Sequence, residues 1–201
     1  MKEYEVLASV PRRQTDTPGP KMAISRAELE CYPCAVRPVQ VLSANPTATV
    51  YLTSSLEMQP GAPLILNYHG GGFALGRGDR DELFCRRLAC AFHCMVVDVD
   101  YALAPEHPFP AAVDQALAVA LWAKGQAAAW GCDPGKVMLV GQSAGGNLVA
   151  NLCMAESEQA VLHPLCAVIA YAPLDLRTDP AQKPCPSRDV PVERARTYNS
   201  R

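Results

Sequence analysis

From residue 64 to residue 173 the chain alternates short apolar runs with longer amphipathic or Ala-rich stretches. "LILNYHG" (64–70), "CMVVDVDY" (94–101), "KVMLVG" (136–141) and "LCAVIAYAP" (165–173) have the length and composition of buried strands. Between them, "DRDELFCRRLACAFH" (79–93) places Leu83, Phe84, Leu88 and Phe92 on one broad face and its charges on the other, the pattern of a surface helix. "AAVDQALAVALWAKGQAAAW" (111–130) and "AGGNLVANLCMAESEQA" (144–160) predict two more helices, and "GCDPG" (131–135) breaks the first of them. Upstream, "VRPVQVLS" (36–43) and "TATVYLTSS" (47–55) predict two strands joined by a turn at Asn45-Pro46. "ISRAELE" predicts a short helix near residue 27, and another is expected to start near Val192.

Strand–helix alternation is the signature of an α/β fold with a mostly parallel sheet and helices on both faces. The two leading strands are expected to form an antiparallel edge. The domain reading is an N-terminal arm or cap segment over 1–35, an α/β core over 36–176, and a polar, proline-rich tail over 177–201 in which the start of a cap insert is expected.

Composition narrows the partners. Apolar residues make up 49% of the 201, enough for a sizeable core. Eighteen basic against twenty acidic residues give a net charge of −2, which offers no electrostatic footprint for nucleic acid or an anionic membrane surface. No apolar run approaches membrane-span length, and the charged first residues lack a secretory core. The expected location is cytoplasmic. Nine cysteines, mostly in apolar segments, read as reduced structural thiols. Cys31 and Cys34 form a CxxC without a second ligand pair for zinc, and no metal or organic cofactor is implied.

Chemistry concentrates in two glycine-rich turns. "GQSAGG" (141–146) puts Ser143 where a strand end becomes a helix, and a sharp turn there lifts a nucleophile clear of the sheet. Gly141 and Gly145 flank it where packing leaves room only for small residues. "HGGGF" (69–73) follows the first strand of the parallel set; amides in such a run can turn toward a developing oxyanion. No Lys-Ser/Thr pair follows, which argues against a phosphate loop.

"HGGGF", "DYALAPEHPFPAA" and "GQSAGG", in this order, closely resemble the hormone-sensitive-lipase-like (GDXG) branch of the α/β-hydrolases. The resemblance covers residues 36–176 and implies an α/β-hydrolase fold and carboxylesterase or lipase activity on short to medium acyl esters. It implies Ser143 as nucleophile, oxyanion-hole amides from Gly71, Gly72 and Ala144, and supporting roles for His69, Gly70, Gly141 and Gly145. Glu106, His107 and Pro108 would be structural parts of their loop. Two positions depart from the family pattern: Gln142 stands where Asp is usual, and Ala102 where Arg is usual.

In that fold the order is Ser, acid, His. His163 is the sole histidine after Ser143, and its place between a helix and the next strand puts it at the wrong end of the sheet. Glu156 and Glu158 share a helix that cannot orient an imidazole at Ser143. The triad acid and histidine are therefore unassigned, and the expectation is a C-terminally shortened hydrolase whose last two strands are missing. Such a chain would be catalytically impaired and would self-associate through the strand at 166–173. The alternatives are a non-catalytic small-molecule-binding protein of the same fold, or an inactive remnant.

Overall fold

The computed structural model describes residues 24–159 and 161–183. The elements are helix α1 (Arg26–Glu30), strands β1 (Cys34–Val41), β2 (Ala48–Ser55) and β3 (Ala62–Tyr68), helix α2 (Asp79–Phe92), β4 (Met95–Asp100), α3 (Ala111–Gln126), β5 (Cys132–Gln142), α4 (Ala144–Gln159) and β6 (Cys166–Ala170). The six strands form one sheet in the order β1-β2-β4-β3-β5-β6. β1 pairs antiparallel with β2, and β2 with β4. β4, β3, β5 and β6 run parallel. This is the expected parallel sheet with an antiparallel edge. The helix expected near Val192 lies outside the described residues.

Both faces of the centre are covered, which is why β3 and β4 are apolar on both faces rather than alternating, interrupted by Asn67 and Asp98. On one face Leu64, Leu66, Val97, Val137 and Leu139 pack with Val119 of α3 and with Leu148, Val149 and Leu152 of α4. On the other, Ile65, Val96 and Val140 pack with Cys85 and Ala89 of α2. α3 turns mostly alanines inward, Ala112, Ala116, Ala120 and Ala123 beside Gln115 and Val119, so the helix can lie close to the sheet. α2 concentrates Asp79, Asp81 and Glu82 in its first turn, where they complement the positive end of the helix dipole. It stops at His93, which adopts φ 47°.

Element ends differ from expectation where pairing outweighs turn propensity. β5 begins at Cys132 and so absorbs the expected breaker, because Cys132 pairs with Ala62 and the Gly61 N–H donates to the Gly131 carbonyl at 2.8 Å. The Asp133 carboxylate accepts from the Gly135 N–H, which keeps a local turn inside the strand. α3 ends at Gln126, with a 3-10 turn over Ala128–Trp130 before Gly131 at φ 77°. β6 is shorter than its apolar run and stops before Tyr171, which sits at φ 40°. Its residues are largely exposed, and among the described residues no strand pairs with its outer edge.

Candidate active site

The parallel register sets the site. Tyr68, the last residue of β3, pairs with Gly141 near the end of β5, so the chain leaves both strands at the same level. One exit is the 69–73 glycine loop and the other is the turn at Ser143, which face each other at the carboxyl edge of the sheet.

Ser143 occupies the left-handed region at φ 51°, a conformation costly for a non-glycine residue. It is clamped on both sides. Its N–H donates to the Ala170 carbonyl of β6 at 2.9 Å, and its carbonyl accepts from the Asn147 N–H of α4 at 3.1 Å. The side chain is half-buried, and among the described residues Oγ has no hydrogen-bond partner. Gly70 lies against it: a Cβ built there would sit 3.5 Å from Ser143 Cβ and 3.3 Å from the Gln142 carbonyl oxygen. Gly141 and Gly145 are forced by packing, because a Cβ on either would overlap backbone: that of α4 for Gly141, and that of Tyr68 and His69 for Gly145. Ala144 is fully buried at the first position of α4, where its amide is among the four with no partner inside the helix. Gly71 and Gly72 also take positive φ, 136° and 58°, turning the loop back toward the serine turn.

His69 is a brace within this loop. Its ring is fully buried and stacks on Tyr101 at 4.3 Å, while the Tyr101 hydroxyl donates to the His69 carbonyl at 2.8 Å. Nδ1 lies 2.6 Å from the Gly70 carbonyl, which can only accept, so Nδ1 carries the proton. Nε2 then faces Asp100 Oδ1 at 3.8 Å, too long for a hydrogen bond. Burial disfavours the charged ring, but Asp100, the Gly70 carbonyl and the charges of Asp81 and Asp98 outweigh it and hold the pKa above the ordinary histidine value. His69 in turn lowers the pKa of Asp100.

Ala102 is buried, and its N–H donates to Gln115 Oε1 at 2.5 Å, so the loop after β4 is held by a glutamine on α3 rather than by an ion pair at 102. Glu106, His107 and Pro108 lie in that loop, with the His107 N–H donating to the Leu103 carbonyl. His163 is exposed, 3.0 Å from Glu156, in the connection where the Leu165 N–H meets the Val137 carbonyl. That is the amino end of the parallel strands, across the sheet from Ser143. Among the described residues no cluster of three or more His, Cys, Asp or Glu has metal-binding geometry. Cys34 of the CxxC pairs not with Cys31 but with Cys90, Sγ to Sγ at 3.5 Å.

A chamber of about 480 Å³ adjoins the site, walled mainly by apolar side chains including Phe73, Phe109, Val113 and Met154. Its wall does not include Ser143 or the glycines; it reaches the site through Phe73, which ends the glycine loop, and Asn147, one turn beyond the serine. The sequence reading missed a set of polar side chains behind the site: buried Asn67, Asp98 and Gln115, and half-buried Arg77. Their signal was present, since Asn67 and Asp98 interrupt runs otherwise read as buried strands.

Residues 65–198 match the family model described as alpha/beta hydrolase fold. Esterase LipI of Mycobacterium tuberculosis is 41% identical over 108 residues, 53% of this chain and 34% of that protein. The arylesterase of Saccharolobus solfataricus is 37% identical over 114 residues, 56% of this chain and 37% of that protein. Among solved structures, a hyperthermophilic esterase of the archaeon Pyrobaculum calidifontis superposes with a TM-score of 0.70 at 32% identity, covering 76% of this chain and 50% of that one. The carboxylesterase EstE1, cloned from a metagenomic library, gives 0.74 at 29% identity, covering 85% and 60%. The chain thus spans about a third of the length of these curated relatives. It belongs to the α/β-hydrolase family, and its lineage is that of the carboxylic-ester hydrolases.

Proposed function

We propose that the chain carries the nucleophile and oxyanion donors of a serine carboxylesterase acting on short to medium acyl esters. Ser143 Oγ attacks the acyl carbon, the amides of Gly71, Gly72 and Ala144 hold the oxyanion, the alcohol leaves, and water releases the acid. The observation that carries this reading is the strained Ser143, at φ 51° and packed against Gly70. Its family relatives, named as esterases, support the reaction class. The apolar chamber of about 480 Å³ suits an acyl or aryl group of moderate size.

With no base on Oγ among the described residues, hydrolysis by this chain rests on binding and the oxyanion donors, worth roughly 10³–10⁴-fold over water in triad-deficient hydrolases. Acetylation of Ser143 by p-nitrophenyl acetate, read by mass spectrometry, is the test: the parent chain should gain one acetyl group with release of p-nitrophenolate and Ser143→Ala none, and a parent chain that releases p-nitrophenolate without acetylation at Ser143 would remove that residue from the mechanism. The chamber also favours a second reading, a small-molecule binder without turnover. That reading predicts saturable binding of an apolar ester analogue that Ser143→Ala leaves unchanged.

Self-association through β6 belongs to the same proposal, because Val168 and Ile169 are 51% and 39% exposed beside a strand edge that, among the described residues, no strand pairs with. Light scattering should find a dimer or larger species that Ile169→Lys converts to monomer; a monomeric parent chain would refute it. A reducing, cytoplasmic location fits the eight described cysteines, all free thiols.

A further inference from the structure

Behind Ser143 a row of side chains crosses the sheet from one surface loop to the nucleophile turn. Arg77, in the segment leading into α2, donates from Nε to Asp98 Oδ2 at 2.5 Å, with its guanidinium 4.0 Å from the Tyr51 ring centroid and 3.5 Å from Glu82. Asp98 on β4 is fully buried, and its other oxygen accepts from Asn67 Nδ2 on β3 at 2.8 Å. Asn67, also fully buried, then presents Oδ1 to Gln142 Nε2 on β5 at 3.2 Å. Gln142 is the residue immediately before Ser143.

The row has a direction. An arginine can only donate and its paired carboxylate only accept, so Asp98 dictates that Asn67 face it with the amide nitrogen. Asn67 then has only its oxygen for position 142, and that position must supply a donor. A carboxylate there would meet either the Asn67 oxygen or, after an amide flip, force that oxygen onto Asp98. Glutamine meets the requirement; aspartate or ionised glutamate does not. We infer that Arg77, Asp98, Asn67 and Gln142 form a positioning relay for Ser143, and that its polarity requires a hydrogen-bond donor at 142.

Backbone strain persists only where neighbours over-determine it. The first turn of α4 and the Ala170 carbonyl hold Ser143 from one side. The relay holds the preceding residue from the other, anchored on a buried ion pair. Besides its two members, the charged or titratable groups facing that pair are Glu82, Asp81, Asp100, His69 and the Cys85 thiol, whose pKa burial and Asp98 push well up. The inference rests on Ser143 being the nucleophile only for its kinetic arm.

The test is a polarity inversion in the full chain: Gln142→Glu, Asp98→Asn, and the double variant. In the double, the amide introduced at position 98 accepts from Arg77 and donates to Asn67. The flipped Asn67 amide then donates to the carboxylate introduced at position 142, with net charge unchanged. The readouts are the rate at which a fluorophosphonate probe phosphonylates Ser143, displacing fluoride, and the melting temperature. At pH 8 Gln142→Glu should slow labelling between about tenfold and about hundredfold, the scale of a misplaced reacting group. Lowering the pH until the new carboxylate at 142 protonates and can donate again should remove the deficit relative to the parent, which a purely steric defect would not do. The double variant should return to within about threefold of the parent, as a compensated pair of coupled sites does.

A Gln142→Glu variant equal to the parent at pH 8, or a double no better than the slower single, overturns the relay. If Ser143→Ala labels as fast as the parent, the esterase reading fails instead. The relay's polarity then stands or falls on the melting temperatures: positions 98 and 142 must couple, and additive losses overturn it.

Discussion

Gly145→Ala adds one methyl group where α4 crosses the end of β3. The new carbon would overlap the Tyr68 carbonyl group and the His69 oxygen, all main-chain atoms of the residues that open the glycine loop. Flexible side chains give way cheaply; paired backbone does not, so either α4 or the loop must move. Overpacking against a compliant core costs about 1–3 kcal/mol, and this rigid contact should lie at the upper end, about 3 kcal/mol. For a chain of this size each kcal/mol lowers the melting temperature by about 2–4 °C, so the expected drop is roughly 6–12 °C. A displacement approaching 1 Å between Ser143 and the glycine loop should also cut p-nitrophenyl acetate turnover by up to about a hundredfold. Gly125→Ala is the control. It sits in α3 with nothing within 4 Å of the added carbon, and there alanine's higher helix propensity should stabilise by about 0.5–1 kcal/mol. Thermal melts of both variants decide the matter. If Gly145→Ala melts within 1–2 °C (about 0.5 kcal/mol) of the parent, the close approach of α4 to β3 does not position the site.

Two other perturbations reach the support of the loops. Gln115→Leu should destabilise by about 1–3 kcal/mol for each buried group it orphans, because Gln115 satisfies both the Ala102 N–H and the Pro46 carbonyl; a urea midpoint shift of under about 0.5 kcal/mol would contradict this. The pair of His69 and Asp100 makes stability pH-dependent with a definite sign. His69 is raised from 6.5, so its contribution is complete below that value and lost as pH rises through the folded pKa; Asp100 is lowered from 3.8, so its contribution is lost only as pH falls below that value. Melting temperature should therefore decline as pH climbs above 6.5, and Asp100→Asn should flatten that decline; an unchanged slope would refute the pairing.

The elements most legible in sequence were those decided by local pattern. The apolar runs at 64–70, 94–101 and 136–141 are strands, and of the expected α2 face Leu83 is buried, Phe84 and Leu88 are half-buried, and Phe92 is exposed in the last turn, while Cys85 and Ala89 take the inward positions. What sequence could not supply was set by partners far along the chain. "GCDPG" reads as a break on local chemistry, yet Cys132 joins the sheet because Ala62 lies opposite. The 69–73 and 141–146 segments identify themselves as turns by their glycines, but which amides face which oxygen depends on register. The buried polar groups were visible only as interruptions. Asn67 and Asp98 lie on neighbouring strands with paired register, so their side chains share a face, and no local rule reveals that pairing.

One register accounts for both the chemistry and its support. With Tyr68 opposite Gly141, the chain leaves β3 at His69 and leaves β5 one residue further on, at Ser143, so the two glycine-rich turns meet. One step back, Asn67 lies opposite Val140 and beside Asp98, so the row behind the turns is as fixed as the turns themselves. A slip of one residue between β3 and β5 would exchange the faces of every side chain on one strand. Leu66 would be driven toward α2, Ile65 toward α3 and α4, and Asn67 out of reach of Gln142. Leu64, Ile65 and Leu66 would stay buried after that exchange, but Asn67 would enter the apolar face against α3 and α4 without a partner, so the buried Asn67–Asp98 pair forbids the slip and with it fixes Ser143 against the glycine loop.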